Sequence, residues 1–79
     1  MGINYQTDER GQHLKLNIKE IEMELARQSM TKAALAEKCG RSPSWATYVL
    51  AEDSVEPHVV GQLATGLGVP VDQIILPED

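Results

Sequence analysis

The chain has 79 residues, enough for one domain with a modest core but near the lower edge for a self-sufficient one. Its formal charge is −5, unevenly spread: every Lys and Arg except Arg10 lies between residues 15 and 41, while residues 52–79 carry six acids and no base. One cysteine excludes an internal disulfide, two distant histidines add no zinc-ligand set, and no apolar run approaches a membrane span, so a reducing, cytoplasmic setting is expected, with no metal, cofactor or membrane contact.

Residues 1–16 differ from everything after them. Ile3 and Tyr5 alternate with polar neighbours, as do Leu14 and Leu16, and Thr7-Asp8-Glu9-Arg10-Gly11 lies between the two runs. This pattern fits either a short β-hairpin or a flexible arm. An isolated hairpin is marginal in water, so it must lie on the body or pair with another chain's edge. Asn17 and Glu20 then form an N-x-x-E relative of the capping box. Ile18, Ile21 and Leu25, with Ala26 beside them, give the first helix one core-facing stripe to about Gln28. Glu20, Glu22 and Glu24 spread around that helix as a solvated face.

The stretch from Met30 to Leu50 reads as two short helices joined by a tight turn. Thr31 is a good N-cap, and Leu35, Ala36 and Cys39 recur at helical spacing. Gly40 suits the left-handed residue that ends a helix, and only Arg41 separates it from Ser42-Pro43, an N-cap followed by proline at the first helical position. Two helices joined so closely cross steeply, as in a helix-turn-helix. At about 100° per residue, Ala46, Val49 and Leu50 share the inward arc of the second helix, and Ser44, Tyr48 and Ala51 the outward one, flanked by Trp45 and Thr47.

After an acidic connection, Pro57 marks another helix start, with Val59, Val60, Leu63, Ala64 and Leu67 on one arc and Gly68 at its end. Gly61 and Gly66 weaken this helix, so packing must hold it. Val69-Pro70 leads into a short last helix whose Val71, Ile74 and Ile75 are expected to cap the core, and residues 77–79 fray. The expected architecture is all-α: a compact five-helix domain over residues 17–76 behind an N-terminal arm or hairpin over 1–16.

Catalysis finds no foothold. His13 and His58 have no predicted nucleophile beside them, no glycine loop cradles a phosphate, and Cys39 sits in a core stripe as a small hydrophobe. A non-enzyme without a small-molecule substrate is expected.

The residues Met30-Thr31, Leu35-Ala36-Glu37-Lys38, Gly40, Ser42 and Ser44, followed by Leu63-Ala64, Leu67-Gly68-Val69 and Val71-Asp72-Gln73-Ile74-Ile75, together resemble the Cro/cI-type (XRE) helix-turn-helix family of bacterial and phage regulators. The resemblance covers residues 18–76 and implies a lambda-repressor-like fold. It implies a sequence-specific transcriptional regulator, usually a repressor, that binds double-stranded DNA as a homodimer with helix 43–51 in the major groove. Ser44, Thr47 and Tyr48 are then the candidates for base edges. Lys32 stands where family members commonly touch a phosphate, and Arg41 lies near the positive amide end of the second helix, with Thr31 and Ser42 beside them. Trp45 either packs on the sugar-phosphate backbone or serves its own fold. The dimer surface is either the last two helices, the family's usual choice, or the N-terminal arm. The family's basic loop after the recognition helix is replaced by Glu52-Asp53-Ser54, and its Gln or Arg positions by Pro43, Ser44 and Tyr48. These departures favour an alternative: a protein-interaction module, such as an antirepressor or antitoxin-like partner of another regulatory protein, that keeps the fold and binds DNA weakly or not at all.

Overall fold

The computed structural model describes residues 13–52 and 54–77. Over these the chain runs β1 (Leu14–Lys15), α1 (Ile18–Arg27), α2 (Lys32–Lys38), α3 (Trp45–Glu52), β2 (Ser54–Val55), α4 (Pro57–Leu67) and a 3-10 turn (Val71–Gln73). Among the described residues the architecture is mostly helical, with four α-helices rather than five and one short antiparallel strand pair.

Leu14-Leu16 is extended, as its alternation suggests, but its partners come from far along the chain. Leu14 pairs with Val55 and Lys15 with Ser54, and Leu16 bridges to Ile75. The Asn17 amide donates to Ile74 O at 2.8 Å and the Leu76 amide to Lys15 O at 2.9 Å. Leu16, only 2% exposed, is thus a core residue, and this segment belongs to the body rather than to an arm. Ile3 and Tyr5, the other expected strand, lie outside the described residues.

The cap of α1 is half of the expected box. Asn17 Oδ1 accepts from the Glu20 amide at 3.1 Å, but the Asn17 amide is already committed to Ile74. The Glu20 carboxylate turns instead to Arg27 Nη1 and Gln73 Nε2, each at 3.1 Å. Glu24 shares both partners, accepting from Arg27 at 2.6 Å and Gln73 at 3.2 Å. One helical turn apart, these two carboxylates form a paired network that ties α1 to the 3-10 turn, correcting the expectation of a scattered solvated face. Ile21 and Leu25 are buried and Ile18 packs beside them, whereas Ala26 is exposed because it lies well around the helix from Ile21.

Three helices end in the same way. Ser29, Gly40 and Gly68 have φ of 52°, 75° and 74°, and in each case the next residue's amide reaches back to a carbonyl in the last turn. These are left-handed closures that satisfy carbonyls with no helical partner. Ser29 makes the turn without glycine's freedom.

The expected last helix is only the 3-10 turn. Its amides at Gln73 and Ile74 bond Pro70 O and Val71 O, and the chain then straightens to pair Ile75 with Leu16. Strand pairing takes the backbone groups that a further helical turn would use. Ile74 is fully buried and Ile75 half-buried, but Val71 is 40% exposed and does not cap the core. The core is continuous from Leu16 and Ile21 through Leu35 and Leu50 to Leu63 and Ile74. No helix among the described residues is long and apolar enough to cross a membrane.

Candidate nucleic-acid interface

Thr31 caps α2: its Oγ1 accepts from the Ala34 amide at 3.0 Å, leaving the hydroxyl proton free to donate outward. Lys32 follows, exposed. Leu35 and Ala36 fix the inward face of α2, and Cys39 closes it half-buried. The left-handed Gly40 then turns the chain, with the Arg41 amide returning to Ala36 O at 2.9 Å.

Helix α3 begins at Trp45, two residues later than its proline suggests. Pro43 and Ser44 form a turn, the Trp45 amide donates to Ser42 O at 3.0 Å, and the Tyr48 amide donates to Ser44 O at 3.2 Å. The first turn is therefore tightened, with Ser42 contributing its carbonyl. Ala46 and Leu50 are buried, and Trp45 and Val49 pack half-buried against the core. On the opposite arc Ser44, Thr47, Tyr48 and Ala51 are exposed, Tyr48 by 70%. Arg41 and Ser42 are exposed at the N-terminal side of that arc.

The side chain of Arg41 does not stand free. Its Cζ lies 5.2 Å from the Trp45 ring centroid, and its Nη2 donates to Gln62 Oε1 at 3.1 Å. Gln62 belongs to α4, and sequence reading gave no sign of it, because its partner is 21 residues distant and nothing local distinguishes a half-buried glutamine. Among the described residues neither Lys32, Lys38 nor Arg41 is in an ion pair, whereas Arg27 is bound to Glu20 and Glu24.

The C-terminal end of α3 has the opposite character. A groove of about 270 Å³ runs beside Tyr48, with Val49, Val55 and Val59 as apolar lining and Glu52 and Glu56 as carboxylates. His58 Nδ1 lies 3.5 Å from Glu56. The face is thus polarised along α3, with base at the amide end and acid at the carbonyl end. A second groove of about 390 Å³ lies between Lys38 and Cys39 on one side and Gln62 and Thr65 on the other. Burial pushes the Cys39 thiol up, with Arg41 opposing, so it is a weak nucleophile. No group of three His, Cys, Asp or Glu placed to hold a metal occurs among the described residues.

No family model, no curated protein and no solved structure matches the chain.

Proposed function

We propose that this chain is a Cro/cI-type helix-turn-helix regulator that binds operator DNA in the cytoplasm as a homodimer, laying α3 in the major groove. One observation carries the reading. Thr47 and Tyr48 on α3, with Ser44 just before it, are left exposed, while Lys32 at the start of α2 and Arg41 in the α2–α3 turn are exposed bases in no ion pair among the described residues. Hydroxyls and a phenol read base edges with less discrimination than a bidentate arginine, so much of the affinity falls to phosphate contacts. Trp45 is half-buried against the core, with the Arg41 guanidinium over its ring, so it serves the fold before any phosphate contact. Repressor action is the family's usual outcome for a domain that does nothing but occupy an operator.

The test is binding to random and selected duplexes across a salt series. Log K falls linearly with log salt, by about 0.9 per phosphate neutralised. Lys32→Glu and Arg41→Glu weaken binding to every sequence, and Ser44→Ala or Tyr48→Ala shifts which sequence is preferred. Unchanged affinity after both charge reversals refutes the docking. Removing residues 1–12 and weighing the product separates an arm-mediated dimer, which dissociates, from one built on the last helices, which does not.

A second reading is a protein-interaction module. The groove beside Tyr48 favours it, because apolar side chains with Glu52 and Glu56 at their rim repel a phosphate backbone and accept a basic, apolar segment. Duplex affinity without salt dependence, or none at all, favours this reading over the first.

A further inference from the structure

Two side chains from different helices, Trp45 of α3 and Gln62 of α4, meet at Arg41 in the α2–α3 turn. The Arg41 guanidinium is bounded on one side by the Trp45 ring, 5.2 Å away, and on another by Gln62 Oε1, 3.1 Å from Nη2. The backbone carbonyl of the same Gln62 accepts from Cys39 Sγ at 3.2 Å. One residue of α4 is therefore bonded to the chain on both sides of Gly40, the pivot of the turn.

An unrestrained arginine on an exposed turn samples many rotamers and loses them when it grips a ligand. Here an aromatic face and an acceptor restrict the guanidinium before any ligand arrives. The acceptor's chemistry matters as much as its place. An amide oxygen occupies one of the five guanidinium N–H donors and leaves the charge intact, whereas a carboxylate there would cancel the charge that a phosphate is to meet.

We propose that Gln62 is a positioning residue for phosphate recognition: it holds the Arg41 guanidinium against Trp45 so that the free N–H edge is aimed from the turn before DNA binds. The role rests on the DNA-binding reading and adds to it a residue of α4 that itself touches no DNA. Its effect passes wholly through Arg41, which is what separates it from a residue that merely supports the fold.

The test is a double-mutant cycle on the full chain. Gln62→Met keeps the length and packing of the side chain and removes the acceptor, and Arg41→Met removes the guanidinium. Binding to a random-sequence duplex is measured across a salt series, and the order of the Arg41 Nε–H group is measured by nuclear relaxation in the free protein. Gln62→Met weakens binding about two- to tenfold, the cost of ordering one long side chain on contact, without changing sequence preference. Arg41→Met weakens it further and flattens the salt slope by about 0.9. The double variant binds no more weakly than Arg41→Met alone, and Arg41 Nε–H gains mobility in Gln62→Met. Wild-type protein that binds no duplex at any salt sinks the DNA-binding reading and this role with it. Wild-type binding with additive losses at 41 and 62, or unaltered Arg41 order in Gln62→Met, sinks the role of Gln62 alone.

Discussion

Replacing Gly66 by alanine adds one methyl group at the contact between α2 and α4. That carbon would lie 2.8 Å from Cys39 Sγ, 2.9 Å from Leu35 Cδ1 and 3.7 Å from Leu35 O. Neither side chain withdraws easily, since Cys39 is bonded to Gln62 O and Leu35 is fully buried. Overfilling such a contact costs about 1–3 kcal/mol. Gly66 is the next-to-last residue of α4, where alanine returns less than the roughly 0.5–1 kcal/mol of a helix interior, so Gly66→Ala is destabilising on balance, by up to about 2–3 kcal/mol. Gly61 lies on the same helix, and a carbon added there meets nothing within 4 Å, so Gly61→Ala stabilises by the propensity term alone, about 0.5–1 kcal/mol. The difference between the two variants is dominated by the overlap, about 1–3 kcal/mol, with the smaller propensity gain at the helix end adding to it. Urea unfolding followed through Trp45 fluorescence measures both, with an unchanged m-value showing that the ends of the transition are the same. Removing Sγ through Cys39→Ala in the Gly66→Ala background restores part of the loss. Equal effects at 61 and 66, or a Gly66→Ala chain as stable as Gly61→Ala, would refute the close approach of α2 to α4.

Ser29→Gly relieves a left-handed serine, worth about 1–2 kcal/mol, against the extra freedom glycine gives the unfolded chain, so the thermal midpoint rises by a gain of about 0.5–1 kcal/mol. Leu16→Ala costs about 2–5 kcal/mol in denaturant unfolding, a penalty no disordered arm would show. The Glu24 carboxyl is held below the usual carboxylate range by the Gln28 amide first and by Arg27 next, with Gln73 adding to them and desolvation opposing. A lowered folded-state value means that this stabilisation is present above the unfolded carboxylate's range and is lost as pH falls through Glu24's own lower range. Glu24→Gln is therefore less stable than wild type near neutrality and converges on it at strongly acid pH, and parallel pH profiles of unfolding would contradict the network.

Much of the fold was legible because it depends on neighbours in the chain. Thr31 accepts from an amide three residues on, Gly40 and Gly68 take the left-handed closures their positions suggest, and the inward arc of α3 follows from a 3.6-residue period. The exposure of Ser44, Thr47 and Tyr48 followed from the same period. Pattern alone was a poorer guide where backbone groups had a choice of distant partners. Leu14-Leu16 alternates as a strand must, but only the assembled chain decides that Ser54, Val55 and Ile75 receive it. That pairing also draws residues 74–76 straight and shortens the last helix to one 3-10 turn.

The amino-acid order by itself determined the caps that open α1 and α2, the inward arcs of α2, α3 and α4 and how the α2–α3 turn bends, since caps, periods and left-handed glycines act over a few residues. Only the tertiary structure decided that Gln62 holds Arg41, that Gly66 leaves room for Cys39 and Leu35, and that Glu20 and Glu24 share Gln73. Each of these contacts joins residues more than 20 positions apart, and their meeting is set by how the helices pack rather than by anything local to either residue.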